Sequence, residues 1–186
     1  MIVLAAGEGK RFGGTKQVDV VRGKPLVQHA LDAAADAEVD EIVVVLGHDA
    51  ERIRAALALT PNTHVVVNER YVEGQSTSLE VGLDALDPSS EAAVVLMADQ
   101  PGIEARHVRS LVTRYRDDSP DVLRIRFRDG PGPAIIARSM WPELMSLTGD
   151  TGARKLFDAN PDRVTWLSFD EDTPVDVDVP EDLERA

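Results

Sequence analysis

The sequence contains no cysteine, and only four of its 186 residues are lysine. The absence of cysteine excludes disulfide bonds, thiolate metal ligands and a cysteine nucleophile. No run of about 18 apolar residues occurs, so the sequence predicts no membrane span. The first residues also lack the charged and apolar regions of a signal peptide. We therefore expect a cytoplasmic protein.

Positive charge is scarce in the chain as a whole. Asp and Glu number 33 against 20 Lys and Arg, which gives a formal net charge of -13. This excess disfavours binding to nucleic acid or to an anionic membrane surface, since either needs a basic patch. An anionic ligand must therefore meet a local cluster of cations. With no linker, internal repeat or low-complexity segment, we expect a single domain over residues 1–186.

A glycine-rich stretch at the start of the chain is the place where cations gather. A short apolar run over residues 1–4 leads into four glycines within eight residues, accompanied by three cations: Gly7, Gly9, Gly13, Gly14, Lys10, Arg11 and Lys16. Glycines leave backbone N–H groups uncovered and allow φ angles that other residues avoid. The stretch therefore predicts a phosphate-binding loop.

Two common phosphate-binding patterns do not fit this loop. The Walker pattern needs its lysine directly after the second glycine, and Lys16 comes one place late. The dinucleotide fingerprint needs a third glycine where Phe12 stands. A merely flexible loop is the alternative, and three cations in an acid-rich chain argue against it.

Apolar runs alternate with segments of helical periodicity along the chain. We predict strands at residues 1–4, 41–46, 64–67, 92–97, 122–127, 134–137 and 164–169, and helices from Pro25, over 50–59, 76–86 and 103–115, and around Glu143 and Ala153. Pro25 suits a first helical turn, and the Gly/Pro stretch 129–133 is predicted to be a loop within the sheet topology. This order indicates an α/β fold, a three-layer α/β/α sandwich with a mostly parallel sheet.

Ligands of such sheets bind beyond the carboxyl ends of the strands. Asp99 follows a predicted strand, and its carboxylate facing a phosphate loop would suit Mg²⁺, which usually takes one or two carboxylates. Its alternative role is to cap the helix near Ile103. Asp176 and Asp178 could project from one side of an extended segment, and we choose Asp178 as the second metal ligand, with a helix N-cap as the alternative.

Two further stretches have both a structural and a functional interpretation. Thr77 and Glu80 have capping-box spacing, which leaves their neighbours Gly74, Gln75, Ser76 and Ser78 free to bind a nucleobase or ribose. Arg154 and Lys155 could form a second anion site, whereas Asp150 could simply be an N-cap. The four histidines share no metal-ligand spacing, and no nucleophile–base triad is found. Phosphoryl or nucleotidyl transfer to an anionic acceptor needs no such base.

Five motifs, in this order, resemble the nucleotidyltransferases of the molybdenum-cofactor type, the MobA-like NTP transferase family. They are the loop Leu4-Ala5-Ala6-Gly7-x-Gly9-x-Arg11-Phe12-Gly13-x-x-Lys16, residues 74–79, Asp99-Gln100-Pro101, residues 147–154 and Asp178-x-Pro180-Glu181-Asp182-Leu183. The resemblance covers essentially the whole chain and implies a Rossmann-like nucleotidyltransferase fold. The later motifs are similar to those of cytidylyltransferases, which transfer CMP from CTP to molybdopterin and release pyrophosphate. Ala6 and Ala98 stand where guanylyl relatives have glycine, which favours cytidine.

The resemblance also implies roles for individual residues. Arg11, Lys16 and Asp99 would be catalytic, Asp99 and Asp178 would bind Mg²⁺, and Asp150 and Arg154 would lie on the acceptor side. The nucleotide would be bound by Leu4, Ala5, Ala6, Gly7, Gly9, Arg11, Lys16, Gly74, Gln75 and Ser78. Two departures from the family pattern are Pro133-Ala134, near the expected acceptor, and Val179 in place of threonine.

Other functions remain open on the sequence. Relatives that use GTP or another anionic acceptor, such as phospholactate, and sugar-1-phosphate nucleotidyltransferases share parts of the pattern. An NAD(P)-binding oxidoreductase is suggested by the glycine-rich turn and disfavoured by Phe12. A non-catalytic nucleotide-binding accessory of a molybdoenzyme is a further reading. The expected partners are CTP or another NTP, an anionic acceptor such as molybdopterin, and a molybdenum hydroxylase that would receive the product.

Overall fold

The computed structural model describes residues 1–186, apart from the side chain of residue 151. Its strands are β1 (Ile2–Ala5), β2 (Val20–Val21), β3 (Lys24–Pro25), β4 (Ile42–Leu46), β5 (Thr63–Val67), β6 (Ala92–Met97), β7 (Val122–Arg126), β8 (Pro131–Ala137) and β9 (Val164–Ser168). Its α-helices are α1 (Leu26–Ala35), α2 (Ala50–Ala55), α3 (Gln75–Asp84), α4 (Ala105–Asp118), α5 (Trp141–Met145) and α6 (Arg154–Ala159). Among these helices none is long and apolar enough to cross a bilayer.

Seven strands form one sheet in the order β5-β4-β1-β6-β8-β7-β9, while β2 and β3 form a separate hairpin. All neighbouring pairs are parallel except those of β8, which runs antiparallel to both β6 and β7. Strands β1 and β4 are buried along their whole length, which explains their continuous apolar sequences. The predicted mostly parallel sheet is confirmed.

Each face of the sheet carries its own apolar core, because successive side chains of a strand point to opposite faces. Val3 packs with α1 and α4 on one face, whereas Leu4 packs with α3, α5 and α6 on the other. Burial of a leucine or valine side chain contributes about 1.5–3 kcal/mol. The two cores give the expected three layers and fix the carboxyl ends of β1, β4 and β6 along one edge.

Two predictions at prolines are wrong. Pro25 belongs to β3 with an extended backbone, φ -53° and ψ 141°, and α1 begins after it, because the hairpin with β2 extends the chain at this point. The stretch from Pro131 onward is strand rather than loop. Pro133 is tolerated because pairing of β8 with β6 begins only at Ala134, and the pairing with β7 is irregular here.

The helix starts also differ from several sequence alternatives. Helix α3 begins at Gln75, so Thr77 and Glu80 are not a capping box. Thr77 Oγ1 instead donates to the carbonyl of Gly74 (2.9 Å), and Glu80 pairs with Arg70. Helix α2 ends at Ala55, four residues before the predicted end.

Three aspartates do not cap the helices for which the sequence suggested them as N-caps. Helix α4 is capped by Glu104, whose N–H donates to His107 Nδ1 (3.0 Å), so Asp99 does not cap it. Helix α6 has Ala153 at its N-cap, not Asp150. The terminal 3-10 helix Pro180–Glu184 begins at proline as predicted, and its N-cap is Val179 rather than Asp178.

Candidate active site

The glycine-rich loop lies at the carboxyl end of β1 and borders a cleft of about 430 Å³. Gly9 adopts φ 63°, and a Cβ there would lie 2.2 Å from the carbonyl oxygen of Gly14, so only glycine fits. The Gly13 N–H donates to the Gly9 carbonyl (2.9 Å), and the Lys16 N–H donates to the Gly14 carbonyl (2.9 Å). The chain thus turns back on itself and delivers Lys16 into the cleft.

Gln17 fixes the start of this loop, a role that the sequence analysis missed. Its Nε2 donates to the carbonyls of Gly7 (2.8 Å) and Ala5 (3.3 Å), and its side chain is buried. Thr15 Oγ1 donates to Asp49 Oδ2 (2.7 Å), which ties the loop to the start of α2. Such long-range bonds have no periodic sequence signal, although the polar residues beside the glycines are visible.

Lys16 is the central cation of the cleft. Its side chain is 11% exposed, and its Nζ lies 2.9 Å from Asp99 Oδ2 and 3.6 Å from Asp178 Oδ1. It also donates to the carbonyl of Val177 (2.6 Å). Arg11 Nη1 pairs with Asp178 Oδ2 at 2.9 Å, but its side chain is 74% exposed. Arg11 and Lys16 are therefore gathered with Asp99 and Asp178 in one cluster.

This cluster has the donor set that a hard divalent cation needs. Asp99 and Asp178 come from distant parts of the chain, yet both reach the same cationic atom, Lys16 Nζ. Among the described residues no group of three or more Asp, Glu, His or Cys side chains has a metal-binding arrangement. Two carboxylates suffice for Mg²⁺ or Mn²⁺ when phosphates and water supply the other ligands. The residues present fit such an ion.

Asp176 belongs to the same edge but has a different partner. Gln100 Nε2 donates to its Oδ1 at 2.6 Å, and the Val177 N–H donates to the Asp99 carbonyl (2.9 Å). Burial, followed by the nearby charges of Asp99 and Asp178, raises the pKa of Asp176. These bonds join the segment after β6 to the segment before the terminal helix and bring the carboxylates of Asp99 and Asp178 to the same part of the cleft.

The opposite wall of the cleft is formed by the start of α3. Gly74, Gln75 and Ser78 line it together with the backbone after β1. Gly74 packs against residue 149 so closely that a Cβ would lie 2.4 Å from that carbonyl carbon. Ser78 Oγ accepts a bond from Asn68 Nδ2 (3.0 Å), and Gln75 Nε2 lies 2.9 Å from Met97 Sδ. All ten predicted nucleotide-binding residues border this one cleft: Leu4, Ala5, Ala6, Gly7, Gly9, Arg11, Lys16, Gly74, Gln75 and Ser78.

The two predicted acceptor-side residues do not share a cavity. Asp150 borders the cleft, whereas Arg154 borders a second cavity of about 180 Å³ beneath α6. Arg154 Nε lies 3.5 Å from Asp158 Oδ2 across one turn of helix, and its side chain faces solvent. A different arginine of this cavity, Arg124, is half-buried and was missed, because an arginine within an apolar strand gives no indication of what it faces.

The fold, the glycine-rich loop and the facing carboxylates define an α/β nucleotidyltransferase. The chain belongs to the MobA-like NTP transferase domain family, whose model matches residues 1–164. A nicotine blue oxidoreductase of Paenarthrobacter nicotinovorans is 33% identical over 99% of this chain and 94% of its own length. The bifunctional protein GlmU of Burkholderia thailandensis is 35% identical over 74% of this chain, which spans only 30% of GlmU.

Solved structures agree with this assignment. The crystal structure of Rv0371c from Mycobacterium tuberculosis superposes with a TM-score of 0.87 at 31% identity, covering 99% of this chain and 94% of that one. A manganese complex of the same protein gives 0.86 at 31% identity, with 99% and 95% covered. A Methanothermobacter nucleotidyl transferase shares the fold, with a TM-score of 0.83 at 21% identity and 99% and 93% covered.

Proposed function

We propose that the protein is a Mg²⁺-dependent nucleotidyltransferase that transfers CMP from CTP to the phosphate of molybdopterin and releases pyrophosphate. The observation that carries this proposal is the convergence of Lys16, Asp99 and Asp178 at the end of the glycine-rich loop. A cation for phosphate and two carboxylates for a metal stand in one cleft. The manganese complex of a relative at 31% identity supports a divalent metal.

Each residue of the cluster then has a task. The loop N–H groups, Arg11 and Lys16 bind the triphosphate, and Lys16 neutralises charge on the departing pyrophosphate. Arg11 is exposed enough to move from Asp178 to a phosphate. Asp99 and Asp178 would hold the metal, which supplies neutralisation and orientation of the phosphates when bound. Gln17 keeps the loop in place through the Ala5 and Gly7 carbonyls.

The reaction balances without a protein base. An oxygen of the acceptor phosphate forms a bond to the α-phosphorus of CTP, and the bond from that phosphorus to the bridging oxygen breaks, so pyrophosphate leaves with the electron pair. The attacking oxygen is already anionic and gives up no proton. No histidine is found among the described residues that line the cleft. Alignment and charge neutralisation are the contribution that this site can make.

The choice of cytidine rests on the nucleoside end of the cleft. Ala6 and Ala98 are buried and border the cleft at positions where guanylyl relatives have glycine. Gln75 and Ser78 supply polar groups at the same wall for base or ribose. The acceptor and a recipient molybdenum hydroxylase are inferred from the motifs at 147–154 and 178–183.

Pyrophosphate release tests this proposal directly. CTP, GTP, UTP and ATP are offered in turn with Mg²⁺, with and without molybdopterin carrying molybdenum. We expect release only with CTP and only when molybdopterin is present. Release with GTP, or with phospholactate or a sugar 1-phosphate as acceptor, would assign one of the related transferase activities instead. Tight nucleotide binding without release with any acceptor would contradict a catalytic role.

The oxidoreductase among the relatives favours a second candidate function. The nicotine blue oxidoreductase is 33% identical over nearly the whole chain, and its name indicates a redox activity. A redox activity is therefore the second candidate for this chain. The loop nevertheless has Phe12 where a dinucleotide fingerprint needs its third glycine. Titration with NADH and NADPH, followed by nicotinamide fluorescence, separates the two candidate functions. We expect that CTP displaces any NADH or NADPH that binds.

A further inference from the structure

The second cavity adjoins the nucleotide cleft and shares three lining residues with it, Leu4, Gln75 and Met97. Its volume of about 180 Å³ lies below the roughly 300–1,000 Å³ of sites for drug-sized ligands. The cavity therefore suits one compact ring system. A ligand placed there would reach toward the nucleotide past Gln75.

The walls of this cavity are apolar on most sides. Leu79 of α3, Ile136 of β8 and Phe157 of α6 border it, and all three belong to the core on this face of the sheet. Pro131 and Pro133 border the cavity as well, and proline has no N–H to donate. The backbone of this strand therefore offers little to an anion, and the body of a ligand would meet hydrocarbon.

Arg124 interrupts this apolar face. Val122 and Arg124 point to the same side of β7, and Val122 is part of the core there. The Arg124 Nε donates to the Gly132 carbonyl at 3.2 Å. Its Cζ lies 5.3 Å from the centroid of the Phe157 ring and 5.8 Å from that of Trp166. The planar guanidinium is thus stacked and oriented at the cavity wall.

The guanidinium has no anionic partner. Within the part of the chain that the structure describes, Arg124 forms no salt bridge, and neither Nη atom donates a hydrogen bond. Burial lowers the pKa of Arg124, and the charge of Asp158 opposes this change with a smaller effect. An arginine nevertheless stays charged, and a half-buried cation without an anion is costly. The two free Nη groups form one edge that can donate two parallel hydrogen bonds to a carboxylate or a phosphate.

We propose that the second cavity binds the acceptor of the transfer reaction, and that this acceptor has a compact flat ring body with an anionic group held by Arg124. This proposal rests on the proposed function, because only a transferase needs an acceptor beside the nucleotide. The attacking phosphate oxygen of the acceptor lies at the end of the cavity near Gln75. The anionic group held by Arg124 is a second one, at the far end of the cavity. Pro133, where the chain departs from its family pattern, has no N–H for that group, and of the two arginines that border the cavity Arg124 is the half-buried one, whereas Arg154 faces solvent.

Isothermal titration calorimetry with 2-naphthoate and its neutral counterpart 2-naphthamide tests the cavity without nucleotide or metal. We expect the wild-type protein to bind the acid at least about tenfold more tightly than the amide, since Arg124 complements only the charged group. Arg124→Gln should abolish this preference, and Arg124→Lys, which keeps the charge without the fork, should retain part of it. Equal binding of acid and amide by the wild type, or no binding of the acid at millimolar concentration, would overturn the proposal.

Arg126→Gln is the matched control for these variants. Arg126 lies on the same strand with its Cζ 4.1 Å from the Trp166 ring, but it does not border the cavity. The control should keep the full preference for the acid, and loss of preference in it would overturn the assignment to Arg124. Melting temperatures verify folding, and Arg124→Lys, compared with the wild type and with Arg126→Gln, carries the test if Arg124→Gln unfolds.

This experiment separates the inference from the proposed function. A preference for the acid without CTP-dependent pyrophosphate release supports the anion site and contradicts the transferase activity. Pyrophosphate release without any preference for the acid supports the transferase and contradicts the role of Arg124. Failure of the Arg124 anion site and failure of the proposed transferase function therefore give different results.

Discussion

Lys16 and Asp99 form an ion pair inside the cleft, with 2.9 Å between Nζ and Oδ2. The same ammonium lies 3.6 Å from Asp178, so one lysine neutralises both carboxylates that would hold a metal. A metal held by these two carboxylates would therefore compete with Lys16 for the same oxygens. In a complex with metal and nucleotide, Asp99 and Asp178 would hold the metal, and the Lys16 ammonium would pair with a phosphate.

Removing the Lys16 charge should have opposite effects on metal binding and on turnover. In Lys16→Met the two carboxylates lose their counter-charge, so Mn²⁺ without nucleotide should bind about tenfold more tightly, or about 1.4 kcal/mol. Pyrophosphate release should fall by about 10²- to 10³-fold, because a cation that stabilises the leaving group is lost. Electron paramagnetic resonance of free Mn²⁺ measures the first effect. Lys24→Met, which removes an exposed lysine paired with Asp32, should change neither quantity, and weaker Mn²⁺ binding in Lys16→Met would refute the competition.

Neutralising Asp99 should abolish activity while preserving the fold. Asp99→Asn keeps the side-chain shape but removes a charged metal ligand, so pyrophosphate release should fall by about 10²-fold or more. Lys16 retains Asp178 and the Val177 carbonyl, and the melting temperature should change little. Asp118→Asn is the control, since Asp118 pairs with Arg114 on the surface at 2.6 Å. Normal turnover in Asp99→Asn would remove Asp99 from the metal site.

Much of the sheet could be predicted because its strands are apolar on both faces. The run at 92–97 and the run at 134–137 look alike in sequence, however, and an apolar run carries no direction. The reversal of β8 follows from its short connection to β7, a fact of chain geometry. Pro133 misled the prediction because a proline is excluded from strands only where its N–H must pair, and here that side is unpaired.

The candidate site was predictable where residues are neighbours in the chain. Arg11 and Lys16 stand out beside glycines, and Asp99 stands out after a buried strand. The contacts that join them span long stretches of chain, 161 residues in the case of Lys16 and Val177. Arg124 escaped notice because its significance depends on the cavity that it borders. Distances in space, rather than residue types, were the missing information.

The backbone of the loop provides a test of the phosphate-binding role. Gly9→Ala places a Cβ 2.2 Å from the Gly14 carbonyl oxygen at φ 63°, which strains the turn by about 1–3 kcal/mol. CTP affinity, measured by calorimetry, should fall at least about fivefold as the loop opens. Gly14→Ala meets no atom within 4 Å and has no positive φ, so it should bind CTP as the wild type does. Equal affinities of the two variants would argue against a preformed loop.

The carboxylate of Asp182 stabilises the segment that carries Asp178. It accepts the N–H groups of Asp178 (2.9 Å) and Val179 (3.0 Å) and pairs with Arg185, which together lower the pKa of Asp182 to about 2. Because the unfolded value is about 3.9, the native state binds fewer protons, and the stabilisation is full above about pH 4 and is lost as the pH falls toward 2. Asp182→Asn should therefore make the free energy of unfolding less dependent on pH between about 4 and 2.

Urea unfolding at a series of pH values measures this effect. Asp170→Asn is the control, since that side chain is 95% exposed and its contact with Arg128 is long, at 3.9 Å. This variant should leave the acid dependence unchanged. The loss of the Asp182 charge should also loosen Asp178, so CTP turnover at neutral pH should fall more in Asp182→Asn than in the control. An unchanged acid dependence in Asp182→Asn would show that the three bonds to this carboxylate do not persist in solution.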